Sequence, residues 1–274
     1  MPINEKQFST AWAIILGGSS GFGLGTIKKL ARHGMNIAVL YRETAASERS
    51  LKDSFSKLAT ESSVTILPFN INALDAEARS LFIKQFIEVA GTKPCVRLLL
   101  HSIARGNLKP LVVSKDQVPG LNDEILSMDD IRLTSYAMST SLLDWARSLL
   151  DAGLFLPDAR IIGLTSEGAH KFWDGYAAVS MAKASLHSLA TYMATELGKY
   201  GIRTNLIQAG ITETPSMKRI PGSDQLIEMT NKRNPLGRMT TTEDVANAIY
   251  LLCTDEAAWI NGAVIHVDGG EHCR

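Results

Sequence analysis

The chain alternates short runs of β-branched and leucine residues with longer segments of helical periodicity. Leu51, Phe55 and Leu58 fall at helical spacing in one such segment. The runs interpreted as strands are Trp12 to Leu16, Ile37 to Tyr41, Val64 to Phe69, Arg97 to His101, Arg160 to Thr165, Arg203 to Ile207 and Ala263 to Val267. Such alternation requires right-handed crossovers and a parallel sheet covered by helices on both faces. The pattern therefore predicts an α/β fold, a Rossmann-type doubly wound parallel sheet of seven strands in a single domain.

No repeat, linker or low-complexity tract interrupts this alternation, so residues 1–274 are interpreted as one domain with an N-terminal extension at 1–10. The longest stretch without a clear strand or helix signal runs from Ala209 to Pro235, after the sixth strand. Ligands bind outside the carboxyl ends of the strands in an open parallel sheet. We therefore interpret residues 209–235 as a substrate-binding lid rather than a linker.

Composition excludes several other classes of protein. The chain is 45% hydrophobic and 20% charged, and its 28 basic residues balance 28 acidic ones. It can bury a full core, and the absence of net charge disfavours nucleic acid or a membrane as a partner. The first apolar run, Ala11 to Leu16, is too short for a signal peptide or a membrane span. Three cysteines without a CxxC pair suit a reducing compartment, so we expect a cytoplasmic protein without a bound metal.

A glycine-rich turn follows the first strand and precedes a predicted helix. Glycine at three positions of this turn permits a tight bend and close approach of backbone N–H groups to a pyrophosphate, which the helix N-terminus also favours. The residues predicted to bind the cofactor here are Gly17, Ser19, Ser20, Gly21, Phe22 and Gly23. Strand, turn and helix in this order predict dinucleotide binding; the alternative is an ordinary βα turn.

The end of the second strand bears on which dinucleotide is bound. A fold that selects NAD places a carboxylate there to hold the adenosine ribose. This chain has Arg42, whose forked donors suit a 2′-phosphate, followed by Glu43, which could reach the ribose itself. We therefore predict NADPH as the cofactor, with NADH as an alternative, although Arg42 could also be a solvated surface charge.

The third and fourth strands end in further candidates. Asn70 could hydrogen-bond the adenine edge and Ile71 could pack on its ring, or both could be plain strand ends. His101, Ser102 and Ile103 end the fourth strand beside the expected cleft. We interpret His101 as a positioning residue and not as a proton donor.

Tyr176 and Lys183 lie just beyond the fifth strand. Seven residues advance a helix by about 700°, close to two full turns, so the two side chains share a face. A cationic lysine beside the phenol would lower the pKa of the tyrosine and make it a better proton donor. Tyr192 and Lys199 have the same spacing but lie farther from the cleft, and we interpret them as helix surface.

These features, with Ala209 to Thr214 and the ending Asn261 to Gly270, resemble the short-chain dehydrogenase/reductase superfamily over nearly the whole chain. Most members place the lysine four residues after the tyrosine. The wider spacing here, with His101 to Ala104, is similar to the divergent enoyl-acyl-carrier-protein reductases of fatty acid synthesis.

By that resemblance, Tyr176 would hydrogen-bond the carbonyl of a trans-2-enoyl thioester and Lys183 would hold the nicotinamide ribose. Gly210, Ile211 and Thr214 would border the nicotinamide and pyrophosphate. The resemblance also implies an acyl carrier protein or coenzyme A thioester as substrate, and a homotetramer packed through helices at Met128 to Leu150 and Tyr176 to Lys199. The prediction of an oligomer rests on apolar residues of these helices in excess of what one sheet face needs. They are Leu142, Trp145, Leu186 and Leu189.

The chain departs from the family pattern at two places. Many enoyl reductases carry an aromatic residue about ten positions before the tyrosine, where this chain has Ser166, with Trp173 nearer; we predict that both contact the substrate. The NADPH-using enoyl reductase III branch also lacks that aromatic, in agreement with Arg42. The helix from Met128 lacks the active-site asparagine of ordinary short-chain dehydrogenases, which disfavours their carbonyl chemistry.

Two other functions are weighed against enoyl reduction: a carbonyl reductase acting on a 3-ketoacyl thioester or ketone, and a non-catalytic NADP(H)-binding sensor. Tyr176 and Lys183 argue against the sensor, which needs no proton donor. Four cations flank the lid and could meet an acidic carrier or its phosphopantetheine phosphate, or could be merely solvated: Lys218, Arg219, Lys232 and Arg233.

Overall fold

Within residues 7–91, 94–112, 125–220 and 222–274, which the computed structural model describes, seven strands pair into one parallel sheet. They are β1 (Ala11–Leu16), β2 (Asn36–Tyr41), β3 (Ile66–Asn70), β4 (Cys95–His101), β5 (Phe155–Thr165), β6 (Arg203–Ala209) and β7 (Val264–Val267). Their spatial order is β3-β2-β1-β4-β5-β6-β7. The predicted Rossmann-type fold is confirmed.

Helices connect the strands and cover both faces of the sheet. The described α-helices are α1 (Gly21–Arg32), α2 (Ala45–Ser62), α3 (Ala76–Val89), α4 (Met128–Ser135), α5 (Ser141–Asp151), α6 (Ala177–Glu196), α7 (Ser223–Arg233) and α8 (Thr242–Cys253). Alternate residues of β1 enter opposite cores because side chains of a strand point to opposite faces. Ile14 packs in the core beneath α3, α5 and α6, whereas Ile15 packs in the core beneath α1 and α8.

The long helices at Met128 and Tyr176 contribute to this core, and this corrects one prediction. Leu142, Trp145 and Leu186 are fully buried within the subunit, and Leu189 packs against the same cluster. They were therefore the wrong evidence for an oligomer, because helical periodicity identifies an apolar face without saying what covers it.

Local structure differs from the sequence pattern at three places. A single π-helical turn, Tyr136–Thr140, separates α4 from α5 within the predicted continuous helix. The segment 209–235 contains α7, which its mostly polar sequence does not indicate, and Pro221 lies outside the described residues. In the N-terminal extension, Phe8 is buried in the core, while residues 1–6 lie outside the described part. Among the described residues, no helix combines the length and apolar character needed to cross a membrane.

Candidate active site

A cavity of about 770 Å³ opens at the carboxyl ends of the central strands. The chain leaves the sheet in opposite directions after β1 and β4, because β2 lies on one side of β1 and β4 on the other. This topological switch creates a crevice at which open α/β sheets bind ligands. The volume suits a cofactor or a substrate of similar size.

The glycine-rich turn forms one wall of the cavity. Gly17 has a φ of +88°, and a Cβ there would lie 2.5 Å from the carbonyl oxygen of Ser102, so only glycine fits. A Cβ at Gly23 would lie 2.2 Å from the Gly17 carbonyl oxygen, which explains the close packing of α1 on the turn. The turn residues that line the cavity are Gly17, Ser19, Ser20, Gly21 and Phe22.

The first turn of α1 is open to an anion. Ser20 is the N-cap residue, its side chain makes no capping hydrogen bond, and no acidic residue lies in the first turn. Ser20, Gly21 and Phe22 line the cavity, so the N–H groups at the start of α1 and the positive end of the helix dipole lie at the cavity wall. This arrangement fits the pyrophosphate of a dinucleotide.

At the ends of β2 and β3, the structure separates residues that line the cavity from one that does not. Arg42 and Glu43 line it, as does Ile71. The Asn70 amide instead accepts from the Glu43 N–H (3.0 Å) and donates to the Glu43 carbonyl (3.0 Å) and the Glu48 carboxylate (2.9 Å). Asn70 lies outside the cavity lining, so its geometry favours holding the loop after β2 over contacting adenine.

At the end of β4, too, only some of the predicted residues line the cavity. Ser102 and Ile103 line the cavity, but His101 is buried behind it, with its Nε2 2.9 Å from Ser141 Oγ. Burial, with a smaller effect of the Lys183 charge, lowers the pKa of His101 to about 3. His101 is therefore neutral at ordinary pH, which is consistent with a positioning role.

Tyr176 is the N-cap residue of α6, and its phenol lines the cavity. Its hydroxyl lies 3.3 Å from the Ser166 hydroxyl. A Cβ at Gly168 would lie 2.6 Å from Cε1 of the ring, so glycine leaves the space that the phenol occupies. Two hydroxyl groups within hydrogen-bonding distance of each other thus lie on the cavity wall.

Electrostatics at Tyr176 contradict the predicted lowering of its pKa by Lys183. Burial raises the pKa of the phenol, and the Ser166 hydrogen bond only partly opposes this rise. Lys183 Nζ donates instead to the Leu164 carbonyl at 2.6 Å. The phenol therefore remains a neutral hydrogen-bond donor.

Lys183 is itself a buried cation on the cavity wall. Its side chain is 6% exposed, and burial lowers the pKa of its amine to about 8. An ammonium group has three N–H donors, of which Leu164 accepts one. The remaining donors fit the ribose hydroxyls of a nucleotide. The alternative tyrosine, Tyr192, is 65% exposed on the outer side of α6.

The remaining predicted residues also reach the cavity. They are Ser166, Trp173, Gly210, Ile211 and Thr214. The Ile211 N–H donates to the carboxylate of the buried Glu271 at 3.4 Å.

Three of the four lid cations are paired. Lys218 contacts Glu213 (2.7 Å), Lys232 contacts Glu228 (2.6 Å), and Arg233 joins Glu167 (2.7 Å) to Glu271 (3.0 Å). Arg219 lines the cavity and is exposed. Arg219 is thus better placed than the paired cations to meet an external anion.

Sequence reasoning missed several lining residues, three of which come from different parts of the fold. Met138 reaches the cavity from the π turn, Arg105 from the segment after β4, and Thr165 from the end of β5. The rule that places ligands at carboxyl strand ends could have found Thr165. No periodic pattern signals a π turn, because it adds one residue to an otherwise regular helix.

A doubly wound sheet with a nucleotide cradle and a Tyr–Lys pair at one cavity defines an NAD(P)H-dependent oxidoreductase of the short-chain dehydrogenase/reductase type. A family model described as enoyl-(acyl carrier protein) reductase matches residues 17–272. The chain belongs to this family.

Individual relatives agree with that assignment. The chain is 32% identical over 251 residues to the enoyl-acyl-carrier-protein reductase (NADH) FabI of Enterococcus faecalis, which covers 90% of this chain and 91% of that protein. The FabI of Aquifex aeolicus is 41% identical over 112 residues, 41% of this chain and 42% of that protein. A Bacillus cereus enoyl-acyl carrier protein reductase solved with NADP⁺ and indole naphthyridinone superposes with a TM-score of 0.83 at 25% identity, covering 99% of both chains.

Proposed function

We propose that the protein reduces the trans-2 double bond of an enoyl-acyl-carrier-protein thioester with NAD(P)H in fatty acid biosynthesis. The observation that carries this proposal is the placement of Tyr176 and Lys183 on the wall of the cavity that the glycine-rich turn also lines. A bound reduced nicotinamide would supply the hydride. The chain's own residues would position the thioester and stabilise the negative charge that develops on its carbonyl oxygen.

In this proposal Tyr176 donates a hydrogen bond to the thioester carbonyl oxygen, where negative charge develops as the enolate forms. Because burial raises its pKa, the phenol keeps its proton until that charge appears. Lys183 holds the ribose and keeps a positive charge close to the site. Ser166, 3.3 Å from the Tyr176 hydroxyl, orients the phenol, and Trp173 borders the acyl group.

We propose NADPH as the preferred cofactor. Arg42 lines the cavity at the end of β2 and is exposed, so its guanidinium is free to meet a 2′-phosphate. The relatives point both ways, since the Enterococcus protein is an NADH enzyme by name and the Bacillus cereus structure was solved with NADP⁺.

Arg42→Ala tests this preference. A charge-assisted contact contributes roughly 1.5 to 3 kcal/mol, so we expect NADPH affinity to fall about 10- to 150-fold and NADH affinity to change little. Arg32→Ala, at the far end of α1, is the matched control. Equal losses for both cofactors, measured by fluorescence titration, contradict the assignment.

Carbonyl reduction is the second candidate. The two hydroxyl groups of Ser166 and Tyr176, 3.3 Å apart, could both donate to one ketone oxygen. The placement of the chain in the enoyl reductase family favours the first candidate.

The deciding experiment follows NADPH oxidation with a trans-2-enoyl thioester and, separately, with a 3-ketoacyl thioester. We expect turnover of the enoyl substrate, loss of about 100-fold in kcat for Tyr176→Phe with cofactor affinity unchanged, and no effect of Tyr192→Phe. Faster reduction of the ketoacyl substrate supports the second candidate. If neither thioester is reduced, both enzymatic candidates are contradicted and the non-catalytic sensor is favoured.

The partners and the location of the protein belong to the same proposal. We propose that the thioester carrier is acyl carrier protein, with coenzyme A as the alternative, and that the segment 209–235 acts as the lid. A homotetramer in the cytoplasm completes the proposal. Cys253 and Cys273 are free thiols, which suits a reducing compartment.

A further inference from the structure

A threonine and a histidine connect the cavity wall to the outer side of α6. Thr165, the last residue of β5, lines the cavity and is 5% exposed. Its Oγ1 lies 2.9 Å from Nε2 of His187, which follows Lys183 by one turn of α6 and is only partly buried. None of the roles described above uses this pair.

The proposed reaction, on which this inference rests, consumes one proton for each hydride transferred. If Tyr176 gives up its proton, the phenolate must regain one before the next turnover. Its Ser166 partner cannot supply this proton alone, because a hydroxyl that passes on a proton must itself be refilled from solvent. While the cofactor and the thioester fill the cavity, a route from solvent that does not pass through the cavity mouth would return this proton.

We propose that His187 and Thr165 form this route. Solvent protonates Nδ1 of His187, the imidazolium passes its Nε2 proton to Thr165 Oγ1, and that hydroxyl releases its own hydrogen to a water in the cavity. The water protonates the Tyr176 phenolate. One proton enters at Nδ1 and one leaves at Thr165. The cycle closes when the ring rotates toward solvent, loses the proton on Nδ1 there and gains one on Nε2, and then returns to Thr165.

The surroundings of His187 suit a transient carrier of charge. In the described residues, the titratable groups that act on it are Lys183 on its own helix and His170, whose exposed ring lies 5.0 Å away in the loop after β5. Burial, followed by His170 and Lys183, lowers the pKa of His187. The ring is therefore neutral at rest and releases a proton readily after gaining one.

The competing explanation is purely structural, since the same hydrogen bond ties the end of β5 to α6. Two variants separate these roles. His187→Gln keeps a side-chain donor toward Thr165 but cannot carry a proton, whereas Thr165→Ser keeps the hydroxyl. His33→Gln, at the end of α1, controls for replacing a histidine elsewhere in the fold.

The experiment compares the first turnover with steady-state turnover by stopped-flow measurement of NADPH oxidation with the enoyl thioester. For His187→Gln and Thr165→Val we expect an unchanged first turnover, because the first proton already resides on Tyr176. Steady-state kcat should fall about tenfold, with a larger solvent isotope effect. His33→Gln should match the wild type. Thr165→Ser should regain most of the steady-state turnover that Thr165→Val loses, and added imidazole should restore turnover in His187→Ala.

An equal slowing of the first and later turnovers in His187→Gln means a structural role and overturns the route. Unchanged steady-state turnover in both His187→Gln and Thr165→Val overturns it as well. If the wild type does not reduce the enoyl thioester but reduces the ketoacyl one, the proposed function fails. The same comparison then tests the route with the ketoacyl substrate, whose reduction also consumes a proton. If the wild type reduces neither, both proposals fail.

Discussion

At the scale of single residues, Lys183 combines an unfavourable burial with a binding role. Its amine has a folded-state pKa of about 8, below the ordinary value of 10.5, so the unfolded chain binds more protons between these two pH values. The free energy of unfolding therefore rises with pH across this window, by up to about 3 kcal/mol. The cost of burial is fully present below pH 8 and disappears above 10.5.

Lys183→Met removes this cost. We expect the variant to be more stable than the wild type at pH 7, by about 2 kcal/mol after loss of the Leu164 hydrogen bond, and to lose this advantage toward pH 10.5. Urea unfolding at pH 7 and pH 10 measures the difference. A variant that is less stable at pH 7, or a gap independent of pH, contradicts the prediction.

Gly168 supports the site through the space it leaves. Because a Cβ there would lie 2.6 Å from the Tyr176 ring, Gly168→Ala should displace the phenol while the fold persists. We expect kcat to fall about 10- to 100-fold with little change in cofactor affinity. Gly198→Ala, where the nearest atom would be 4.0 Å away, is the control. Full activity of Gly168→Ala means that the ring adjusts freely.

The sequence predicted which residues form this site more accurately than it predicted the protonation behaviour of those residues. The spacing of Tyr176 and Lys183 places both on the cavity wall as expected. The direction of the tyrosine pKa was wrong because it depends on whether the lysine points at the phenol or at the Leu164 carbonyl. Spacing along a helix does not determine that choice.

At the scale of elements, the loop after β2 depends on one amide. Asn70→Ala removes three hydrogen bonds that hold this loop, so we expect weaker binding of either cofactor together with a stability loss of about 1 to 2 kcal/mol. Asn36→Ala breaks a comparable 2.8 Å bond to the Thr65 N–H at the opposite end of the same strand pair. If both variants weaken the cofactor equally, the effect is one of general stability.

The strands were predictable as elements because each is an apolar run buried between helices. Strand β5 begins at Phe155 in the structure, five residues before the predicted start at Arg160. The prediction began too late because Pro157 and Asp158 interrupt the apolar run. Helix α7 escaped prediction because acidic, basic and amide residues fill most of it, and only one of its residues, Thr230, is fully buried. Tertiary packing rather than periodicity stabilises such a helix.

At the scale of the whole molecule, the proposed oligomer rests on exposed apolar residues of α4 and α6 rather than on the buried residues of the core. Leu133 of α4 is 59% exposed, and Met181 and Tyr192 of α6 are 41% and 65% exposed. The latter two lie eleven residues apart, about three turns, and so share one face of α6. Such a surface suits contact with a second copy of the chain.

We expect sedimentation equilibrium at micromolar concentration to give about four times the 29.8 kDa of one chain. Tyr192→Glu together with Leu133→Glu should shift the equilibrium toward smaller species, because a buried unpaired charge is unfavourable at an interface. Leu251→Glu is the matched control, because Leu251 of α8 is itself 60% exposed. A wild-type mass of one chain refutes the assembly.

The strand order also constrains when the crevice comes into being as the chain is synthesised. Strand β2 pairs with β1 on one side and with β3 on the other, so this half of the sheet can assemble early and leave one edge of β1 open. The turn at Gly17 gains its opposite wall only when β4 docks and the Ser102 N–H bonds to the Leu16 carbonyl at 2.9 Å. Until the ribosome has delivered that strand, the nascent chain presents an apolar β edge, which is a template for aberrant pairing and a natural client surface for chaperones.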